Sequence, residues 1–162
     1  MTREEFKNIF DTYFTDVRNY IYYRAGDQEL ATDVAQEAFI RLWEKREELF
    51  SDNLKALLYK IASDLLITQL RKRNVAMRYR GRAFEEQFSE SPHDLMRYTE
   101  LVKNYELALE KMPEKQRTVF LLSRMDGLKY AEIADNLGLS VKAVEKRMKY
   151  ALESLRKAIG EN

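Results

Sequence analysis

Residues 127–157 read GLKYAEIADNLGLSVKAVEKRMKYALESLRK. Gly127 closes one helical run, and the apolar spacing predicts a short helix over Tyr130–Leu137. Gly138 then stands where the chain must turn sharply, a position where a left-handed backbone costs glycine little. Ser140 is placed as an N-cap, its hydroxyl free to accept from a backbone N–H two or three residues on. From there a helix can run past Lys157 without meeting proline or glycine. Two helices joined by a short glycine-containing turn make a helix-turn-helix. Ile133, Ala134, Leu137, Leu139 and Val144 supply a small core, and Val144, Met148, Ala151 and Leu155 mark one face of the second helix. Lys142, Lys146 and Lys149 fall largely off that face, near the N-terminal half, where a recognition helix meets the major groove. Over residues 139–158 six basic residues (Lys142, Lys146, Arg147, Lys149, Arg156, Lys157) stand against two acidic ones (Glu145, Glu153). A helical hairpin with a solvated basic face would carry the same charge. The joint pattern of small residue, turn glycine, capping serine and apolar spacing favours DNA binding.

The 162 residues could form one domain or two small ones. Five Gly, two Pro and few alternating β-branched runs predict an all-α protein. There is no cysteine, which excludes disulfides and thiolate metal sites and suits a reducing cytoplasm. The single histidine, His93, lies in a polar stretch without ligand partners, so it reads as an exposed linker residue rather than part of a zinc site or catalytic triad. No metal and no cofactor is expected. No apolar run approaches the roughly 18 residues of a membrane span. MTREEFKNIF lacks the apolar core of a signal peptide, so a cytoplasmic location is expected. A net charge of +1 hides a second basic region: Arg71, Lys72, Arg73, Arg78, Arg80 and Arg82 occur without an acid between them, and Glu85, Glu86, Glu90 and Asp94 follow.

Taken from the start, Thr2 and Glu5 form a capping-box pattern, followed by an aromatic stripe of Phe6, Phe10, Tyr13, Phe14, Val17, Tyr20 and Ile21 that reads as core. Gly26 and Asp27 break and restart the chain. A second helix over about Gln28–Lys45 has Leu30, Val34, Ala38 and Leu42 on one face, widened by Phe39, Ile40 and Trp43. A polar loop, Arg46 to Asn53, leads to a third helix whose buried side is Leu54, Leu58, Ile61, Leu65 and Leu66, with Tyr59, Lys60, Ser63 and Asp64 partly elsewhere. Residues 1–82 thus read as one helical domain, 83–93 as a flexible linker, and 94–162 as a second helical domain. In the latter, Pro113 ends one helix or opens the next, and Glu114 to Met125 delivers the chain to Gly127.

In this order the segments resemble the group IV, or extracytoplasmic function (ECF), sigma factors of bacterial RNA polymerase, within the sigma-70 family. DVAQEAFIRLWEKR (33–46) is similar to the region 2.2 helix that docks on the β′ clamp. ALLYKIASDLLITQLRKR (56–73) is similar to the helix that helps melt and read the −10 element, and residues 112–157 to region 4, which reads the −35 element. The resemblance implies two domains, sigma region 2 and sigma region 4, with core RNA polymerase (β′ clamp and β flap) and promoter DNA as partners. It makes Asp33, Gln36, Glu37 and Arg41 candidates for the polymerase contact. It makes Ser140, Lys142, Lys146, Arg147 and Lys149 candidates for −35 contact, and Tyr59, Lys60, Arg71, Lys72 and Arg73 candidates for the −10 region. A flipped −10 base would lie against the loop Arg46–Asn53.

The sequence departs from the family where relatives often read W-L-Y-R-I-A-R-N with a later Asp: Leu57 takes the aromatic position, Ser63 and Asp64 the Arg-Asn pair, and Thr68 the later Asp. Losing a cation and gaining a carboxylate weakens phosphate attraction on that helix. The expected function is promoter-specific initiation without covalent chemistry, by a chain that is monomeric when free, inserts in no membrane, and has a possible anti-sigma partner. The alternatives are a stand-alone helix-turn-helix transcriptional regulator and a helical scaffold or hydrolase. An enzyme would need a converging polar constellation, and none is visible.

Overall fold

The computed structural model describes residues 1–73 and 92–160. Among these residues there are seven helices and no strand. Of the expected linker 83–93 only Pro92 and His93, which open a helix, are among the described residues; Arg78, Arg80 and Arg82 lie outside them.

Helix α1 (Arg3–Ala25) starts on the expected capping box: the Glu5 N–H donates to the Thr2 hydroxyl at 3.1 Å and the Thr2 N–H to the Glu5 carboxylate at 2.7 Å. Gly26, at φ 70, ends it in the left-handed conformation, and Asp27 at once caps α2 (Gln28–Glu44), accepting from the Leu30 N–H at 3.1 Å. The aromatic stripe packs as core. Phe6, Phe10 and Phe14 surround Phe39, and Phe6 also meets Trp43 with ring centroids 5.1 Å apart. Ile40, expected to widen the buried face of α2, is instead 49% exposed, because Leu30, Val34, Ala38 and Leu42 already fill the contact with α1 and α3.

Helix α3 (Leu54–Arg73) buries Leu58, Ala62, Leu65 and Leu66. Tyr59 joins them at 1% exposure, stacked on Tyr20 with centroids 4.5 Å apart. It therefore belongs to the core and not to the surface expected of a DNA contact. Helices α1–α3 form the N-terminal unit.

The C-terminal unit is α4 (Pro92–Lys111), α5 (Glu114–Arg124), α6 (Tyr130–Leu137) and α7 (Val141–Ala158). Pro113 precedes α5 as its N-cap, where its missing N–H does no harm. In the helix-turn-helix, Gly138 sits at φ 67, the Leu139 N–H reaches back to the Ala134 carbonyl at 2.9 Å, and the Ser140 hydroxyl accepts from the Ala143 N–H at 3.1 Å. Ile133, Ala134, Val144, Met148, Ala151 and Leu155 are buried as the spacing required.

The two units are packed together, which the sequence did not announce. Helix α5 is sandwiched between α7 of its own unit and α1 of the other, and α6 lies along α3. That is why α5 buries four successive apolar residues, Val119, Phe120, Leu121 and Leu122, where a one-faced helix would bury about half of them. One continuous apolar cluster runs from Val17 to Leu155.

Candidate nucleic-acid interface

On α7 the outward face presents Lys142, Lys146 and Lys149 to solvent, with Arg147 half-buried. Ser140 is exposed, but its oxygen is engaged as the cap. Lys146 and Arg147 share a shallow groove of about 580 Å³ with Pro113, Lys115 and Gln116 at the start of α5. This places the N–H groups of a helix N-terminus beside the recognition face, an arrangement suited to a phosphate. Lys115 and Gln116 were not singled out from sequence, because only the packing of α5 on α7 brings them there.

The polar edge of α2 is open as well. Asp33, Gln36, Glu37 and Arg41 are all exposed, with Arg41 3.6 Å from the Glu37 carboxylate. Asp33, Glu37 and Arg41 face Thr68, Gln69 and Lys72 of α3 across a groove of about 280 Å³. Two candidate sets that are distant in sequence thus meet on one surface. Arg71 is exposed beside Lys72, and Arg73 is the last residue of α3.

The third surface is a cleft of about 420 Å³ between the loop Arg46–Asn53, α3 and the helix-turn-helix. The loop is anchored at both ends. Arg46 lies 4.0 Å over the Trp43 ring and donates to the Trp43 carbonyl at 2.7 Å. Asn53 caps α3 by accepting from the Ala56 N–H at 3.0 Å. Between these anchors Phe50 is 99% exposed, an aromatic ring held in water at the mouth of the cleft. Sequence reasoning passed over it, although a phenylalanine in a polar loop is a usable signal. Lys60, Leu57, Ser63 and Asp64 line the floor, so three of the four family departures gather here. The fourth, Thr68, lies in the α2–α3 groove and bonds the Asp64 carbonyl at 3.0 Å. The far wall comes from Asp135, Asn136, Leu137 and Gly138 of the other unit. Behind the floor, burial drives the ionisation of Tyr59 well above the ordinary phenol range, and its hydroxyl has no hydrogen-bond partner among the described residues.

Residues 9–76 match the family model for sigma-70 region 2, and residues 103–155 match that for sigma-70 region 4. The ECF RNA polymerase sigma factor SigW of Bacillus subtilis is 30% identical over 169 residues, spanning 97% of this chain and 90% of that one. The chain belongs to the ECF group of the sigma-70 family. It is also similar to the ferric citrate uptake sigma factor FecI of Escherichia coli, 25% identical over 91% of this chain and 87% of that one. Its fold matches that of the sigma factor RpoE from Bartonella quintana, solved in complex with the anti-sigma factor NepR, at a TM-score of 0.65 and 22% identity, covering 97% of this chain and 98% of that one. This sigma factor is thus all-α and two-domain, with region 2 in α1–α3 and region 4 in α4–α7. Among the described residues no helix is long and apolar enough to cross a membrane, and no group of three or more His, Cys, Asp or Glu is placed to hold a metal ion.

Proposed function

We propose that this sigma factor binds core RNA polymerase through Asp33, Gln36, Glu37 and Arg41 of α2 and reads promoter DNA with two further surfaces. Lys142, Lys146, Arg147 and Lys149, joined by Lys115, meet −35 duplex DNA. Their mixture of lysine and arginine suits phosphates and guanine edges. The cleft between the loop Arg46–Asn53 and α3 takes an unpaired −10 base, with Phe50 as a stacking surface and Lys60, Arg71, Lys72 and Arg73 attracting the backbone. Residues 1–82 and 94–162 act as the two working units, joined through 83–93. The chain does no covalent chemistry itself. The solved relative's complex supports an anti-sigma protein as a further partner.

The observation that carries this reading is that one chain exposes a cationic recognition face on α7 and, where the N-terminal unit meets the helix-turn-helix, a cleft lined by an exposed aromatic and a lysine. The test is a titration against bacterial core RNA polymerase at physiological salt. One-to-one association is expected, and it should be lost when Asp33→Ala and Arg41→Ala are combined. A folded chain that does not associate, yet binds an operator alone, would instead be a stand-alone regulator.

A further inference from the structure

The cleft between the loop Arg46–Asn53 and α3 is lined by three charged side chains, Lys60, Asp64 and Asp135. Asp135 is committed, since it accepts from the Asn53 amide. Lys60 and Asp64 are exposed on α3, and neither takes a hydrogen bond or ion pair from a side chain among the described residues. They carry opposite charges one helical turn apart, a spacing at which side chains can meet. Lysine on the N-terminal side of the acid is the weaker order for such a pair, because each charge then opposes the helix dipole. The hydroxyls nearby are occupied. Ser63 accepts from Arg24, and Ser51 exchanges bonds with the Asn53 backbone at 3.0 and 3.1 Å. The floor thus offers a strand a free cation and a free carboxylate, with the exposed ring of Phe50 at the mouth.

A carboxylate on a strand-binding surface repels phosphates of every sequence, so it weakens binding unless a base offers it a donor. The four bases differ in what they offer. Cytosine, adenine and guanine each carry an exocyclic amine, and a carboxylate is a suitable acceptor for one. Each also has an acceptor on the same edge that a lysine can meet. Thymine has no amine. Its single ring N–H is flanked by two carbonyl oxygens, so a carboxylate brought to that edge meets a like partial charge. Selectivity of this kind comes as much from what is repelled as from what is bound.

We infer that Asp64 is a specificity-determining residue of this cleft: with Lys60 it selects an unpaired base bearing an exocyclic amine and rejects thymine. This rests on the reading of that cleft as the −10 strand site. Asp64 accepts from the amine. Lys60, besides attracting the backbone, donates to the acceptor beside that amine, and Phe50 stacks on the ring whatever its identity. Asp64 stands where relatives often carry asparagine. An amide both donates and accepts, so it can turn over to suit thymine, whereas an ionised carboxylate only accepts. The aspartate of this chain therefore narrows the choice of base.

The experiment uses the full-length chain bound to core polymerase and single-stranded oligonucleotides built on the sequence that this complex selects from a randomised pool. Each position in turn is replaced by thymine and by uracil, and affinities are compared at one salt concentration. At one position the loss is expected to depend on Asp64. It should be about tenfold with either base for wild type and less than about threefold for Asp64→Asn, with the other positions unchanged. Two results would overturn the inference: no position whose loss shrinks in Asp64→Asn, or a loss with thymine but not uracil, which would assign the discrimination to the methyl group. Phe50→Ala tests the underlying reading, and should weaken binding about tenfold whatever the base. If Phe50→Ala and Lys60→Met both leave affinity unchanged, the cleft is not the strand site and the inference falls with it. If they weaken binding while Asp64→Asn keeps the wild-type base preference, the role of Asp64 alone fails.

Discussion

Arg117 looks in sequence like any solvated helix cation, set between Gln116 and Thr118 near the start of α5. Its burial arises only when α1 and α4 end at the same point, where its guanidinium donates to the carbonyls of Tyr23, Arg24, Leu109 and Met112, so no local pattern could have disclosed it. Arg117→Met would leave helix-end carbonyls of both units without donors, and a loss of about 3 kcal/mol is expected from the urea midpoint. Arg117→Lys should recover less than half, because a compact ammonium cannot span four carbonyls as a planar guanidinium does. Tyr59 runs the other way. Its hydroxyl is buried without a partner among the described residues, so Tyr59→Phe should be neutral or stabilising by up to about 1 kcal/mol in the same measurement. A marked destabilisation would mean the hydroxyl is satisfied.

At the scale of elements, the turn between α6 and α7 fixes where the recognition face points. A Cβ at Gly138 would meet nothing within 4 Å, so Gly138→Ala tests the backbone alone: at φ +67 it should cost about 1 kcal/mol and lower the Tm. Lys146→Ala, on the exposed face of α7, should leave the Tm unchanged and weaken −35 duplex binding. If Lys146 contacts a phosphate, the slope of log affinity against log salt should also fall by about one. The helices themselves were legible in the sequence because their signals are local. Thr2 with Glu5, Gly26 with Asp27, and Gly138 with Ser140 mark boundaries by satisfying orphan backbone groups, and the structure uses each pair that way. Faces were harder to read. Tyr59 and Ile40 exchanged their expected environments because periodicity locates a stripe but does not show where neighbouring helices stop covering it. Phe50 escaped notice for a related reason, since a loop has no period against which an exposed aromatic stands out.

The whole molecule adds what neither scale contains, a contact between units in which a shared apolar cluster surrounds buried polar groups with no sequence rhythm. The one clue was the run Val119 to Leu122, too apolar for a helix with a single buried face. The same contact is expected to be sensitive to pH. Asp126, in the turn between α5 and α6, is pushed up to about 6 from 3.8, chiefly by burial and also by the Asp16 carboxylate of α1. Hydrogen bonds from Tyr23 and Asn19 of α1 and the charge of Lys55 on α3, itself 3.0 Å from Asp16, pull the other way. A carboxyl raised in the packed form means that the packed form takes up a proton the separated form does not. The resulting stabilisation of the contact is complete below 3.8 and is lost as pH rises through about 6. Discounted for solvent screening, it amounts to about 1 kcal/mol. Acidification should therefore tighten the contact between the units and neutral pH loosen it. Asp126→Asn keeps an acceptor for Tyr23 and removes the charge, so the variant should hold the units together as firmly at neutral pH as the wild type does in acid. Energy transfer between dyes on the two units, followed from about pH 7.5 to about pH 5, should rise for wild type and stay flat for Asp126→Asn. Parallel curves for the two proteins would assign the pH response to another group.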